Sequence, residues 1–203
     1  ASAYEGSMAS TSAHLIFSCG SVYNYNSASV QAYDTSFVSS NLTSSSGYRR
    51  GLCSTSIGNY VVLCGAEASN TATDFYNDSN VKTTATNPYN AARSYATGIG
   101  TDSHAMFFGG SSSSDIKAYD TNLVVTSTSL PVSGSKFQGF ASGDKKFALI
   151  GVGSNTAYYY NSDLLIEETI TIQNGGSNCR TAESADDFGV FCIDWSTVGT
   201  QIK

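Results

Sequence analysis

Five short apolar runs recur along this chain at intervals of about 41 to 45 residues, a spacing that limits the fold more tightly than anything else in the sequence. They are Leu15 to Gly20, Val61 to Gly65, Met106 to Gly110, Ala148 to Gly151 and Val190 to Ile193. Ahead of them lies a second pattern, clearest as Tyr4 to Ser12 against Tyr48 to Ser56. Behind four of them comes a third: Ala32-Tyr33-Asp34-Thr35, Phe75-Tyr76-Asn77-Asp78, Ala118-Tyr119-Asp120-Thr121 and Tyr159-Tyr160-Asn161-Ser162. Segments rich in β-branched residues, such as Leu123 to Thr128 and Leu165 to Ile172, complete the units. Each unit reads as four strands, a to d, joined by Gly, Asn, Asp and Ser turns. Strand b is apolar throughout, as a strand covered on both faces must be. A single unit cannot cover both of its faces, so neighbours must stack around an axis. The expected fold is therefore all-β: a β-propeller of four-stranded blades in one domain, 1–203, with blades at about 4–47, 48–91, 92–134, 135–177 and 178–203. The fifth blade has strands a, b and part of c but no d, which implies either a five-bladed ring with a thin last blade or a piece of a larger propeller or assembly that a neighbouring chain completes. A β-solenoid or sandwich is the competing architecture, although solenoid coils are usually shorter than this period.

Composition agrees with an all-β chain that folds. Charged residues make up only 13%, against roughly 25% in an ordinary domain, so Ser, Thr, Asn, Gly and Tyr must supply the polar surface. With 40% hydrophobic and 12% aromatic residues the chain can bury a core. A net charge of −6 speaks against nucleic acid or an anionic membrane as partner. No run approaches the ~18 apolar residues of a membrane span, so membrane insertion is not expected. No signal peptide is visible at Ala1-Ser2-Ala3-Tyr4-Glu5, and export stays open. The five cysteines, Cys19, Cys53, Cys64, Cys179 and Cys192, include no close pair in sequence, which favours packed, reduced thiols over a disulfide framework or a zinc site. Three of them, Cys19, Cys64 and Cys192, share one repeat position near the end of strand b, where close blade packing calls for small residues.

At Gly109-Gly110, at Tyr119-Asp120 and in the phrase Thr55 to Leu63, the sequence resembles kelch-type repeats, most of all the divergent Ser/Thr-rich arrays in proteins of gut Gram-positive bacteria and their phages. It departs from the usual kelch blade in its Trp, since Trp195 alone is present and lies away from the expected place. The resemblance implies either a binding platform or an oxidase of the galactose-oxidase kind. The oxidase would need copper held by His and Tyr with a Tyr joined to Cys. Only His14 and His104 exist, both at repeat-equivalent a–b turns, where solvent-facing residues are expected. Nucleophile-elbow, zinc-helix, phosphate-loop and calcium-loop motifs are all missing from the sequence. The pairs Glu167-Glu168 and Asp186-Asp187 point to opposite faces of a strand and cannot flank one bond.

One constellation repeats with the blades. Glu5, Arg49, Arg93, Lys136 and Arg180 stand at or just before successive strands a, 43 or 44 residues apart, and so form a ring of which four members are cationic. In an antiparallel pair the start of strand a lies beside the end of strand b. The b–c loops, with Tyr23, Tyr25 and Trp195, therefore share that end of the molecule. Arginine donates in pairs to a carboxylate, and aromatic rings stack on sugars or peptides. The expected function is a non-catalytic recognition module for a glycan or an acidic peptide or protein, outside the cell, on its surface or on a virion, binding through Arg49, Arg93, Lys136, Arg180, Tyr23, Tyr25 and Trp195. No cofactor and no metal are expected. A structural subunit completed by neighbouring chains is the second reading, and a galactose-oxidase-like enzyme the third. The same cations could instead hold the connections between blades together.

Overall fold

The structure, a computed structural model, describes residues 3–4, 6–18, 21–22, 25–26, 28–47, 51–65, 72–86, 96–101, 103–110, 113–134, 137–141, 147–151, 156–161, 163–171, 179–185, 188–193 and 200–202; in some of these, 130–151 and 179–202 among them, only the backbone. The expected all-β propeller is what these residues form. Blade 1 consists of β2 (Ser7–Ser10), β3 (His14–Ser18), β6 (Val30–Asp34) and β7 (Ser39–Asn41). Blade 2 follows as β8 (Cys53–Ile57), β9 (Tyr60–Cys64), β10 (Ala72–Asn77) and β11 (Lys82–Thr86). Blade 3 is β12 (Ala96–Gly100), β13 (His104–Gly109), β14 (Ser113–Asp120) and β15 (Val125–Gly134). Blade 4 is β16 (Phe137–Ala141), β17 (Phe147–Gly151), β18 (Thr156–Tyr160) and β19 (Ile166–Thr171). Blade 5 has three described strands, β20 (Cys179–Ala185), β21 (Phe188–Ile193) and β22 (Thr200–Ile202). Every pairing is antiparallel between strands consecutive within the blade. The first strands, β2, β8, β12, β16 and β20, pack side by side in that order and so form the inner rank.

A small sheet lies outside this plan. β1 (Ala3–Tyr4) pairs with β4 (Ser21–Val22), which pairs with β5 (Tyr25–Asn26), so the b–c loop of blade 1 is itself a hairpin. Tyr4, expected in strand a, belongs to this sheet instead.

The repeated Tyr-Asp/Asn signal has a physical cause. In each of the first four blades the acidic or amide side chain ends strand c and accepts two backbone N–H groups from the turn to strand d. Asp34 Oδ1 takes Ser36 and Val38 at 2.8 and 2.9 Å, and Asn77 Oδ1 takes Ser79 and Val81 at 3.0 and 2.9 Å. Asp120 Oδ1 takes Asn122 and Val124, both at 2.8 Å, and Asn161 Oδ1 takes Asp163 and Leu165, both at 3.0 Å. Each turn holds its fourth residue at positive φ, namely Phe37 (59°), Asn80 (60°), Leu123 (62°) and Leu164 (63°). A left-handed backbone is unfavourable for Phe37, Leu123 and Leu164, though tolerated by Asn80, and the two hydrogen bonds to one carboxyl or amide oxygen offset that cost.

The Tyr of the signal closes the seam with the preceding blade. Tyr76, Tyr119 and Tyr160 are buried. Tyr76 donates its hydroxyl to Thr43 O at 2.8 Å, and Tyr119 donates to Thr73 Oγ1 at 3.2 Å. Between blades 1 and 2, Ile16, Val30 and Ala32 meet Val61, Leu63 and Tyr76. Between blades 2 and 3, Val62, Cys64 and Phe75 meet Ala105, Phe107 and Tyr119, with Phe75 edge-on to Tyr119 at 5.1 Å. Between blades 3 and 4, Met106, Phe108, Ile116 and Ala118 meet Tyr158, Tyr160 and Leu164. Each buried large side chain contributes roughly 1.5–3 kcal/mol, so the core consists of seams rather than one central mass.

Candidate functional site

The end of the ring at which strands a begin is where the sequence places its candidate ligand residues. Arg49, Arg93, Lys136, Tyr23 and Trp195 lie outside the described residues, as does Glu5. Arg180 and Tyr25 are described as backbone only: Arg180 is second in β20, and Tyr25 opens β5. The register supports the expected layout, because Cys179 at the start of β20 pairs with Ile193 at the end of β21. In blade 2, likewise, Cys53 pairs with Cys64. The starts of strands a and the b–c loops thus share one end.

The two histidines stand at the opposite end. They were expected to face solvent in the a–b turns, and the structure corrects this: each is the first residue of its strand b and is partly buried against the next blade. Thr11 Oγ1 accepts the N–H groups of Ala13 and His14 at 3.3 and 3.1 Å, and Thr101 Oγ1 accepts those of Ser103 and His104 at 3.3 and 3.0 Å. The turns are therefore built alike, but their seams differ. His14 Nε2 lies 3.4 Å from Asn80 Nδ2 of blade 2, and Ser12 donates to Asp78 Oδ2 at 3.0 Å. Hydrogen bonds from Thr11, more than the opposing effect of burial, hold the Asp78 carboxyl below its ordinary range, with Ser12, Ala13 and His14 adding to them. His104 Nδ1 instead meets Ser103 Oγ at 3.0 Å, and burial depresses its pKa despite Asp120 and Asp163 nearby.

That depression has a sign. The native state holds His104 neutral, while the unfolded chain takes up a proton at about pH 6.5. Stability from this group is complete above that pH and is lost as pH falls through the folded value. Thermal melts across pH 5 to 8 are expected to show a falling acid limb that His104→Asn makes shallower; an identical limb in the variant would refute the assignment.

His14 and His104 sit on different seams and are not brought together. Among the described residues no three His, Cys, Asp or Glu side chains converge as metal ligands. Cys53 and Cys64 are buried thiols not joined in a disulfide, directly opposed on β8 and β9, with Cys53 Sγ donating to Cys64 O at 3.2 Å. Cys19 lies outside the described residues, and Cys179 and Cys192 are described as backbone only. Glu167 and Glu168 are adjacent, exposed residues of β19. Among the described residues the fully buried carboxylate is Asp74, which the sequence did not single out.

No known family's sequence profile matches this chain, and no curated protein does. Its fold has many solved counterparts. A selenomethionine-substituted virginiamycin B lyase from Staphylococcus aureus overlays 96% of this chain and 68% of its own, with a TM-score of 0.70 and 11% identity. A streptogramin B lyase overlays 97% of this chain and 67% of its own, with a TM-score of 0.67 and 12% identity. At these identities the likeness establishes the propeller fold. It also corrects the expectation of a non-catalytic recognition module. Both of these solved chains are lyases, so the architecture on which the non-catalytic reading stood is one that carries catalysis.

Proposed function

We propose that this propeller is a lyase-type enzyme whose substrate binds at the end of the ring where strands a begin. The overlay of nearly the whole chain on two lyases is the observation that carries this reading. A lyase breaks a bond without water. Where it does so by taking a proton beside a carbonyl, negative charge grows on the carbonyl oxygen in the transition state, and fixed cations stabilise it. Arg49, Arg93, Lys136 and Arg180 are the cations that the repeat assigns to that end, with Tyr23, Tyr25 and Trp195 on loops beside them. His14 and His104, at the other end of the strands, take no part. The blades themselves we read as kelch-like, on their Gly109-Gly110 and Tyr119-Asp120 signals.

Virginiamycin B is the probe for the test, with chromatography and mass spectrometry as the readout. Cleavage is expected to give product whose total mass equals that of the substrate, where hydrolysis would add one water. Replacing Arg49, Arg93 and Arg180 together by Ala is expected to lower kcat/KM about 10²- to 10³-fold while moving Tm by a few degrees at most. An intact probe after a day with folded protein, or a triple variant as active as its parent, would overturn the reading.

A further inference from the structure

Two nucleophilic side chains that the proposed reaction leaves unused, Cys53 and Cys64, are set face to face by the fold. Cys53 opens β8, Cys64 closes β9, and the two are direct partners across the hairpin. Directly paired residues share a face of the sheet, and both side chains are buried in the seam between blades 2 and 3. Their spacing follows from the turn. Ile57 and Tyr60 flank Gly58 and Asn59, and Gly58 has a φ of 52°, as the first position of a two-residue hairpin turn requires. The pair beside such a turn is hydrogen-bonded, and counting back in twos makes Thr55 with Val62, and Cys53 with Cys64, hydrogen-bonded pairs as well. The Cα atoms of such a pair stand about 5.5 Å apart, inside the range that a disulfide spans.

Packing does not call for two cysteines here. Three residues on from the partner of each signal Tyr stand Ser18, Cys64, Phe108 and Ile150, and opposite them are Ser7, Cys53, Thr97 and Gln138. The register thus makes Ser18, rather than Cys19, the counterpart of Cys64. Four blades fill the position with four different pairs, and in blade 2 that pair is able to form a covalent link. Its surroundings suit the reaction. Tyr119 donates its hydroxyl to Thr73 Oγ1 at 3.2 Å, and Thr73 donates to Cys64 Sγ at 3.6 Å. This places a donor on the sulfur as its charge changes in the reaction. Cys53 is 6% exposed and Cys64 0%, so a small oxidant meets Cys53 first.

We propose that Cys53 and Cys64 form an oxidative modification site, at which hydrogen peroxide joins them in a reversible cross-strand disulfide. Cys53 sulfur attacks one peroxide oxygen, the O–O bond breaks, and the displaced hydroxide leaves as water with the thiol proton. Cys53 is then a sulfenic acid. Cys64 sulfur attacks that sulfur and breaks its S–O bond, and the oxygen leaves as a second water with the Cys64 proton. Two thiols are oxidised and one peroxide is reduced to two waters. Forming the bond turns the Cys53 side chain from Cys64 O toward Cys64 Sγ and draws together Cβ atoms that a hydrogen-bonded pair holds apart. The link is therefore strained, and small thiols reopen it. The inference is independent of the proposed lyase activity.

Peroxide treatment of the folded chain, followed by alkylation in denaturant and tryptic mass spectrometry, tests it. Alkylated cysteines are expected to fall from five to three, the two lost being Cys53 and Cys64. Trypsin leaves both in one peptide, Gly51 to Lys82, which should carry no alkyl group and weigh two hydrogens less than its reduced form. Reduced glutathione should restore all five. Cys53→Ser and Cys64→Ser should each abolish the linked peptide while moving Tm by a few degrees at most, since Ser7 and Ser18 fill the same places in blade 1. Five alkylated cysteines after peroxide, a link to Cys19, Cys179 or Cys192 instead, Cys53 oxidised past sulfenic acid without a link, or a link that forms only in urea would overturn the proposal.

Discussion

Gly98→Ala and Gly100→Ala are each expected to lower the unfolding free energy by about 2–3 kcal/mol, an overpacking cost at the upper end of the usual range. The first strands of blades 2 and 3 approach so closely that a Cβ on Gly98 would stand 2.6 Å from Ser54 O and 3.0 Å from Ser54 C. A Cβ on Gly100 would press harder still on Ser56 O and would lie 2.9 Å from Thr55 Oγ1. The obstacles are mainly backbone atoms inside a sheet and cannot swing aside like the end of a side chain. Relief requires the two blades to part, which loosens the seam holding Phe75, Ala105, Phe107 and Tyr119. An opposing effect exists, because Ala restricts the unfolded chain and stabilises by about 0.4–1 kcal/mol where it fits. Here the clash outweighs that gain. Urea unfolding followed by circular dichroism should show lower midpoints with the slope kept; parent-like midpoints in both variants would mean that the blades do not pack this closely.

The repeat alone conveyed the fold, because blade length, the apolar strand b and the Tyr-Asp signal are properties of each unit taken separately. Asp34, Asn77, Asp120 and Asn161 were recognisable as turn residues, and their paired backbone acceptances explain why the signal recurs. What the sequence left hidden lies between units. His14 meets Asn80 66 residues away, so a reading within one repeat places it in solvent. Phe37 and Leu164 occupy the same place in the turn, and the presence or absence of a neighbouring blade makes one exposed and the other buried. The hairpin of β4 and β5 was missed because it interrupts only one blade. For the cation ring, the register of β20 on β21 supports its location at one end, while the arginine side chains themselves lie beyond the described residues.

Asp74→Ala is expected to cost about 3–5 kcal/mol, the range for removing one partner from a buried charged network. The carboxylate is fully buried on β10 and accepts from Ser46 N and Ser46 Oγ, both at 2.7 Å, and from Thr84 Oγ1 at 2.8 Å. Lys82 Nζ stands 3.5 Å away and also donates to Ser44 O at 2.8 Å. Truncation would take the carboxylate acceptor from the Ser46 and Thr84 donors and leave the 15%-exposed Lys82 ammonium with Ser44 O but without its counter-charge. Asp74→Asn keeps one acceptor oxygen but sets an NH₂ group against donors, and should lose about half as much. This network fastens the connection from blade 1 to blade 2, since Ser45 N also donates to Ala28 O at 2.8 Å. Arg49 follows a few residues later in the same connection. Asp74→Asn should therefore reduce the proposed activity under conditions where the variant is still fully folded, by an amount that vanishes when Arg49 is already Ala. Equal losses in the two backgrounds would show that the network stabilises the blade without positioning the cation.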